Sequence, residues 1–265
     1  MKLMLRIRFV GSAYAGYQVQ KNGRTVQGEL NAAAETLLGF PCDIVGCSRT
    51  DSGVHANDFC CTVSKRGSES LETSLPADRF PRAINCILPE DIAVMHAEWV
   101  PDDFHPRYGV RYKEYIYQIY DRPERDPFLT GRAYMNKFRI EDRALLCMQE
   151  AASHFEGKHD FSAFMAAGSS VKSTEREVMY ARVERRGDLI VFSVAADGFL
   201  YNMVRIMAGT LLFVSMGRIE EGLLPELIKR GERSAFGKTM PAYGLYLNKV
   251  YYDGKEVPHE REIEE

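Results

Sequence analysis

The 265-residue sequence has no long hydrophobic run, and no stretch approaches the ~20 consecutive apolar residues that a membrane-spanning helix needs. It also lacks the apolar block of a secretory signal peptide, because Arg6 and Arg8 alternate with apolar residues near its start. The composition, with 45% hydrophobic and 27% charged residues, is that of a globular protein. We therefore expect a cytoplasmic protein without a membrane partner.

Paired cysteine motifs are absent as well. The six cysteines, at positions 42, 47, 60, 61, 86 and 147, form no Cys-x-x-Cys pair and have no His cluster nearby. Zinc sites and disulfide frameworks need such spacings. The sequence thus predicts reduced, mostly buried thiols and no metal site.

An excess of positive charge is also missing, since 34 Lys and Arg residues face 37 Asp and Glu residues and the net charge is −3. For the whole chain this balance argues weakly against nucleic-acid binding. Phosphate contacts depend on local clusters of Lys and Arg, however, and not on the average. The net charge therefore does not exclude a nucleic-acid partner.

The hydrophobic pattern predicts secondary structure that repeats. Alternating apolar residues predict a strand at 3–9, and apolar residues at helical spacing from residue 26 predict a helix with Thr25 as its N-cap. The other elements predicted for this half are strands at 42–48, 59–64 and 92–99 and a helix through residue 84. Their order is βαββαβ.

The second half repeats this order approximately. Its predicted elements are strands at 112–120, 178–185, 189–195 and 243–252 and helices at 143–155 and 200–214, with an inserted helix at 223–229. We predict an α+β fold of two ferredoxin-like βαββαβ halves, residues 1–105 and 106–265, joined into one antiparallel sheet. Helices would cover one face of the sheet and leave a cleft on the other.

The segment between two of the predicted strands is the first candidate for chemistry. Residues 46–56 read GCSRTDSGVHA. A surface turn that uses Asp and Gly for its backbone geometry is the plain interpretation. The alternative is a site in which Asp51 is the reactive group, and the local sequence does not decide between them.

Eight segments in one order, spread over nearly the whole chain, resemble the tRNA pseudouridine synthase A family. They are RTDSGVHA (49–56), FVGSAYAGYQ (9–18), TVQGEL (25–30), FHPR (104–107), KEYIY (113–117), HDF (159–161), FLYNMVR (199–205) and PAYGLYL (241–247). The sequence departs from the family pattern at Tyr17, where the family has Trp. It also departs at Cys47 and Ser48, because the family has Gly directly before RTD. Neither departure changes Asp51.

The resemblance implies that Asp51 is the catalytic carboxylate of a tRNA isomerase, acting on uridines of the anticodon stem-loop at tRNA positions 38 to 40. Isomerising uridine breaks the C1′–N1 bond, turns the uracil and joins its C5 to the same carbon. No cofactor is needed for this. Asp51 could attack C1′, add to C6 of the base or remove a sugar proton, and the sequence does not choose among these.

The resemblance also assigns roles to two arginines. It pairs Asp51 with Arg205, which would favour the ionised carboxylate and orient it. A helix-surface arginine is the plainer interpretation, although an unpaired charge would be costly in so apolar a helix. Arg49 would hold the RNA backbone near the flipped nucleotide, or be an ordinary solvated side chain.

Tyr115 is the predicted stacking residue. It shares a strand face with Tyr117, so the pattern alone favours core packing. The resemblance places the active-site tyrosine at Tyr115, where its ring would stack on an extruded pyrimidine. Leu245 corresponds to a family position near the base, with core packing as an equally good interpretation.

Further basic residues are candidates for holding RNA, although each alone is more often a solvated side chain. They are Arg79, Arg82, Arg107, Arg111, Lys113, Lys158, Lys172 and Lys238. For His55, His105 and His159 we expect structural hydrogen bonds, because no spacing makes them metal ligands.

Two other functions compete with tRNA isomerisation. A non-catalytic RNA-binding protein on the same fold would not need Asp51. A glycoside or nucleoside hydrolase would normally need a second carboxylate, and no paired-acid motif stands out.

A homodimer is the expected assembly. A body of this length has a radius of gyration of about 18 Å, too small to hold both the body and the anticodon stem of a tRNA. Family members that act as dimers point the same way. We expect tRNA as the partner and a second copy of the chain as the other subunit.

Overall fold

The structure is a computed structural model that describes residues 1–168 and 171–252. It contains two compact units. Unit 1 comprises residues 1–110 together with 246–252, and unit 2 contains residues 111–245. None of the helices in the described ranges has the length and apolar character that a membrane-spanning segment requires.

Unit 1 has the predicted order βαββαβ, followed by a strand from the far end of the chain. Its elements are β1 (Lys2–Phe9), α1 (Val26–Leu38), β2 (Cys42–Gly46), β3 (His55–Lys65), α2 (Phe80–Asn85), β4 (Ile92–Val100) and β10 (Leu245–Tyr251). Thr25 caps α1 as predicted, because its Oγ1 accepts a hydrogen bond of 3.2 Å from the Gly28 N–H. The helix ends at Gly39, whose φ of +77° suits glycine.

Strand β3 lies between its neighbours in the sheet of unit 1. It pairs antiparallel with β1, which in turn pairs antiparallel with β4. The other edge of β3 is shared, since β2 pairs with residues 61–65 and β10 pairs in parallel with residues 55–56. The segment that connects β2 to β3 therefore leaves the sheet close to β10.

Unit 2 also combines helices with mostly antiparallel strands. Its elements are β5 (Tyr112–Asp121), β6 (Tyr134–Asn136), α3 (Asp142–Ser153), β7 (Gly157–Asp160), β8 (Glu175–Arg186), β9 (Leu189–Ala196), α4 (Met203–Ser215) and α5 (Leu224–Arg230). Strands β5, β9, β8 and β7 pair antiparallel in that order, and the short β6 adds to β5 in parallel. Helix α4 is almost entirely buried.

The predicted α+β class with mostly antiparallel pairing is confirmed. The sequence pattern missed β6 and β7, because three or four residues are too few to show a period. Residues 246–252 belong to the second half by sequence, yet they group with unit 1. The predicted halves, 1–105 and 106–265, stay a prediction of the sequence.

Candidate active site

Asp51 lies in the loop 47–54 that connects β2 to β3, and its side chain is half-buried. The loop contains a tight turn, in which the Val54 N–H donates to the Asp51 carbonyl at 3.2 Å. Gly53 takes a φ of +82° in this turn, which glycine adopts without strain. The turn geometry expected from the Asp-Ser-Gly sequence is thus present.

Residues 10–17, which follow β1, hold this loop in place. The Tyr17 N–H donates to the Thr50 carbonyl at 3.2 Å, and the Ser52 hydroxyl donates to the Tyr14 carbonyl at 3.1 Å. These two bonds fix the backbone on either side of Asp51. The position of its Cα is therefore set by hydrogen bonds and not only by the turn.

Two glycines make this approach possible. A Cβ on Gly11 would lie 1.9 Å from the Val54 carbonyl oxygen, so no other residue fits without a backbone shift. A Cβ on Gly16 would lie 2.6 Å from the Thr50 carbonyl oxygen, and Gly16 also has a φ of +103°. Sequence reasoning missed this role, although two glycines in the segment after β1 were the visible signal.

The three histidines of the sequence motifs make structural hydrogen bonds, as predicted. Buried His55 accepts the Gly11 N–H at Nδ1, 3.0 Å away, and its ring stacks on Tyr246 with centroids 4.5 Å apart. His159 bonds through Nε2 to the Glu156 carbonyl at 2.7 Å. His105 accepts two backbone N–H groups at Nδ1.

Tyr115 lies on β5 of unit 2, where it pairs with Val194 of β9. The residue is only 8% exposed, and its ring meets Phe199 edge to face with centroids 5.0 Å apart. Tyr117, on the same face, is fully buried and donates its hydroxyl to the Pro241 carbonyl at 2.9 Å. Burial raises the pKa of Tyr117 far above its ordinary value, so that the hydroxyl stays a donor.

Arg205 lies on α4 and is half-buried. Its Nε donates to the Met240 carbonyl at 2.6 Å and its Nη1 to the Asn202 Oδ1 at 2.6 Å. Asn202, just before the helix, has a φ of +63°. Arg205 therefore ties the start of α4 to the segment before β10.

The other predicted site residues divide between the units. Arg49 and Arg107 are exposed and line the same cavity of about 200 Å³ in unit 1. In unit 2, Arg111 is exposed and Lys113 is half-buried on β5. Leu245, the first residue of β10 and the only residue of that strand grouped with unit 2, is 7% exposed. The remaining RNA-binding candidates, Arg79, Arg82, Lys158, Lys172 and Lys238, are all exposed.

Comparison with known proteins gives long matches. The tRNA pseudouridine synthase A of Ruminiclostridium cellulolyticum is 41% identical over 252 residues, which cover 95% of this chain and 99% of that protein. The chain belongs to the tRNA pseudouridine synthase A family. A profile for the family described as tRNA pseudouridine synthase also matches residues 151–253.

Other members of the tRNA pseudouridine synthase A family agree with this placement. The enzyme of Acetivibrio thermocellus is 41% identical over 248 residues, covering 94% of this chain and 98% of that protein. The enzyme of Moorella thermoacetica is 41% identical over 252 residues. Membership makes the chain an isomerase, as the sequence motifs implied.

Among solved structures, a chain from the crystal structure of a Cbf5-Nop10-Gar1 complex is similar with a TM-score of 0.36 and 14% identity. The match covers 92% of this chain and 48% of that one. A likeness of this degree carries no argument about the activity.

Proposed function

We propose that this protein isomerises uridine to pseudouridine in tRNA, at the anticodon stem-loop positions 38 to 40, with Asp51 as the catalytic carboxylate. The single observation that carries the proposal is the end-to-end similarity to enzymes named tRNA pseudouridine synthase A. The motif that contains Asp51 lies within it. The stem-loop position rests on the family resemblance.

The environment of Asp51 supports its role. A catalytic group works best when the protein holds it in place before the substrate arrives, because no binding energy is then spent on ordering it. The loop of Asp51 meets this condition, since Tyr17 and Ser52 fix its backbone on both sides. A turn that served only to reverse the chain would not need Gly11 and Gly16 packed against it.

The reaction requires three steps that the protein must promote. It must take the target uridine out of the stack, at a cost of a few kcal/mol. It must labilise the C1′–N1 bond, for which an ionised carboxylate suffices by any of the three routes open to Asp51. It must keep the freed uracil beside C1′ until C5 forms the new bond and its hydrogen leaves.

The supporting roles follow the family resemblance. We propose that Tyr115 stacks on the extruded base, that Arg205 pairs with Asp51 and that Leu245 packs near the base. Arg49, Arg107, Arg111 and Lys113 would contact the RNA. The burial of Tyr115 and the anchored position of Arg205 suit groups that hold one orientation, although both features also stabilise unit 2.

The test is to incubate the purified protein with unmodified tRNA transcripts and to map pseudouridine by carbodiimide-dependent primer stops. Product at adjacent uridines of the anticodon stem-loop is the expected result. Product only elsewhere in the tRNA would contradict the position. Binding without product on any tRNA would contradict the activity and favour the non-catalytic alternative.

A further inference from the structure

A cavity of about 200 Å³ opens in unit 1 beside the Asp51 loop. Its walls come from four separate parts of the chain: residues 17–18, Gln27, residues 44–46 with 48–49, and residues 105 and 107–108. Arg49 stands two residues before Asp51, so their Cα atoms are at most about 7 Å apart. The cavity therefore borders the loop that carries the proposed catalytic group.

The floor of the cavity is rigid. The Gln27 side chain bridges two backbone groups, accepting the Val19 N–H at 2.9 Å and donating to the Ile44 carbonyl at 2.6 Å. At Gly46 the Tyr17 ring takes the space of a side chain, since a Cβ there would lie 2.4 Å from its Cε1. The Tyr17 ring is itself stacked on Phe59, with centroids 4.2 Å apart.

The segment 104–109, which forms one wall, is equally well held. His105 Nδ1 accepts the N–H groups of Arg107 at 3.1 Å and Tyr108 at 3.3 Å, and its carbonyl accepts the Gly109 N–H at 3.0 Å. The Tyr252 hydroxyl donates to the Pro106 carbonyl at 2.6 Å. The turn is thus tied both to itself and to the end of β10.

This rigid turn presents an aromatic ring to solvent. Tyr108 is 79% exposed, and its ring rests on the His105 ring with centroids 4.3 Å apart. A single exposed aromatic side chain is ordinary on a protein surface. Here, however, the backbone beneath it is fixed and its neighbours line a cavity. Such a ring is a preformed platform for a flat ligand, because ordering it costs little on binding.

The charge of the cavity is positive, although the chain as a whole is negative. Arg49 and Arg107 line it, and no Asp or Glu of the described residues does. The Arg107 guanidinium lies 6.0 Å from the centre of the Tyr108 ring. Burial, and then the charges of Lys2 and Arg107, lower the pKa of His105, so that its ring stays neutral and keeps accepting the two N–H groups.

We propose that this cavity binds one unpaired nucleotide of the RNA substrate, with its base stacked on Tyr108 and its phosphate held by Arg49 and Arg107. An aromatic platform beside two guanidinium groups suits a base joined to a phosphate. The bound nucleotide would lie near the target uridine along the strand. The inference rests on the proposed function, because it takes the substrate to be RNA.

Affinity for an unmodified tRNA transcript tests the stacking. Measurements in an Asp51→Asn background make the result independent of turnover, so failure of the pocket and failure of the proposed activity stay distinguishable. Tyr108→Ala should weaken binding by about 5- to 100-fold, the range found for loss of one base–aromatic stack. Tyr108→Phe should bind as tightly as the parent protein.

Phe128→Ala is the matched control, because Phe128 is 84% exposed and lies outside the cavity. It should leave the affinity unchanged. Equal affinity of Tyr108→Ala and the parent would overturn the proposal, as would an equal loss in Tyr108→Phe and Tyr108→Ala.

The phosphate contacts have their own readout. Arg107→Gln should lower the slope of log affinity against log salt by roughly 0.7 to 1, the contribution of one neutralised phosphate. An unchanged slope would show that Arg107 does not contact a phosphate of the bound nucleotide.

A fluorescent base locates the nucleotide. With 2-aminopurine placed in turn at each unpaired anticodon-loop position, one position should be quenched on binding, and Tyr108→Ala should abolish that quenching. Quenching at no position, or quenching that Tyr108→Ala leaves intact, would overturn the assignment.

Discussion

Two tyrosines on β5, Tyr115 and Tyr117, share one face of the strand, but we expect their substitution to have different effects. Tyr115→Phe keeps the ring that would stack on the base and loses only the hydroxyl. We expect RNA affinity within about twofold of the parent and a turnover lower by about tenfold or more, as for loss of one positioned polar group. Binding assays and single-turnover kinetics on the same tRNA would measure both.

Tyr117→Phe is the control on the same strand. It removes the hydrogen bond to the half-buried Pro241 carbonyl and leaves that acceptor without the tyrosine hydroxyl. The free energy of unfolding should fall by about 1–3 kcal/mol, with turnover of the folded protein retained. If Tyr115→Phe lost affinity and turnover equally, Tyr115 would be a structural residue like its neighbour.

At the scale of elements, α4 and the segment 236–240 depend on a close backbone approach. A Cβ on Gly209 would lie 1.9 Å from the Lys238 carbonyl oxygen. The Thr210 hydroxyl accepts the Gly237 N–H at 3.1 Å, and Arg205 and Met240 exchange backbone and side-chain hydrogen bonds one turn earlier. This contact holds the segment that carries Arg205 in place.

Gly209→Ala should therefore lower the free energy of unfolding by at least about 1–3 kcal/mol, because the added methyl forces backbone atoms apart. Gly222→Ala is the control, since a Cβ at Gly222 meets nothing within 4 Å. Its effect should stay within about 0.5 kcal/mol. Denaturant unfolding of both variants measures the difference, and equal stability of the two would contradict the close approach.

The sequence predicted elements wherever one local signal determined them. Strand β1 followed from alternation and α1 from apolar spacing and the Thr25 cap. Strand β6 could not be found in this way, because its three residues are defined by pairing with β5. The parallel pairing of Tyr246 with His55 joins residues far apart in sequence, and no local pattern encodes it.

The candidate site was predictable to a similar degree. Family motifs singled out the Asp51 loop, and turn residues explained its shape. That Gly11 and Gly16 pack against the loop required the structure, since the contact crosses from one segment to another. Tyr108 was missed because one exposed tyrosine carries no sequence signal. The roles of Asp51, Tyr115 and Arg205 stay predictions.

For the whole molecule, the net charge of −3 makes local charge decisive in binding a polyanion. We propose that the protein acts as a homodimer, in which one subunit grips the tRNA body and the other supplies the catalytic cleft. Light scattering during size exclusion should give twice the chain mass of 30.1 kDa. A monomer that modifies tRNA at full rate would contradict this assembly.

The salt dependence of tRNA binding is also a property of the whole molecule. Affinity should fall steeply with salt, by roughly one unit of log–log slope for each neutralised phosphate. Filter binding at several salt concentrations would measure the slope. A flat response would mean that phosphate contacts do not drive the docking.

The central claim is that the Asp51 carboxylate is catalytic, and its most direct test is tritium release. Forming the C5–C1′ bond expels the C5 hydrogen, so tRNA carrying tritium at uracil C5 reports every turnover. Asp51→Asn keeps the shape of the side chain and removes its charge, so release should fall by more than about 10³-fold with tRNA affinity kept within about twofold. Asp43→Asn, at an exposed carboxylate of β2, should release tritium at the parent rate. A folded Asp51→Asn protein that releases tritium at a rate near the parent's would contradict the account.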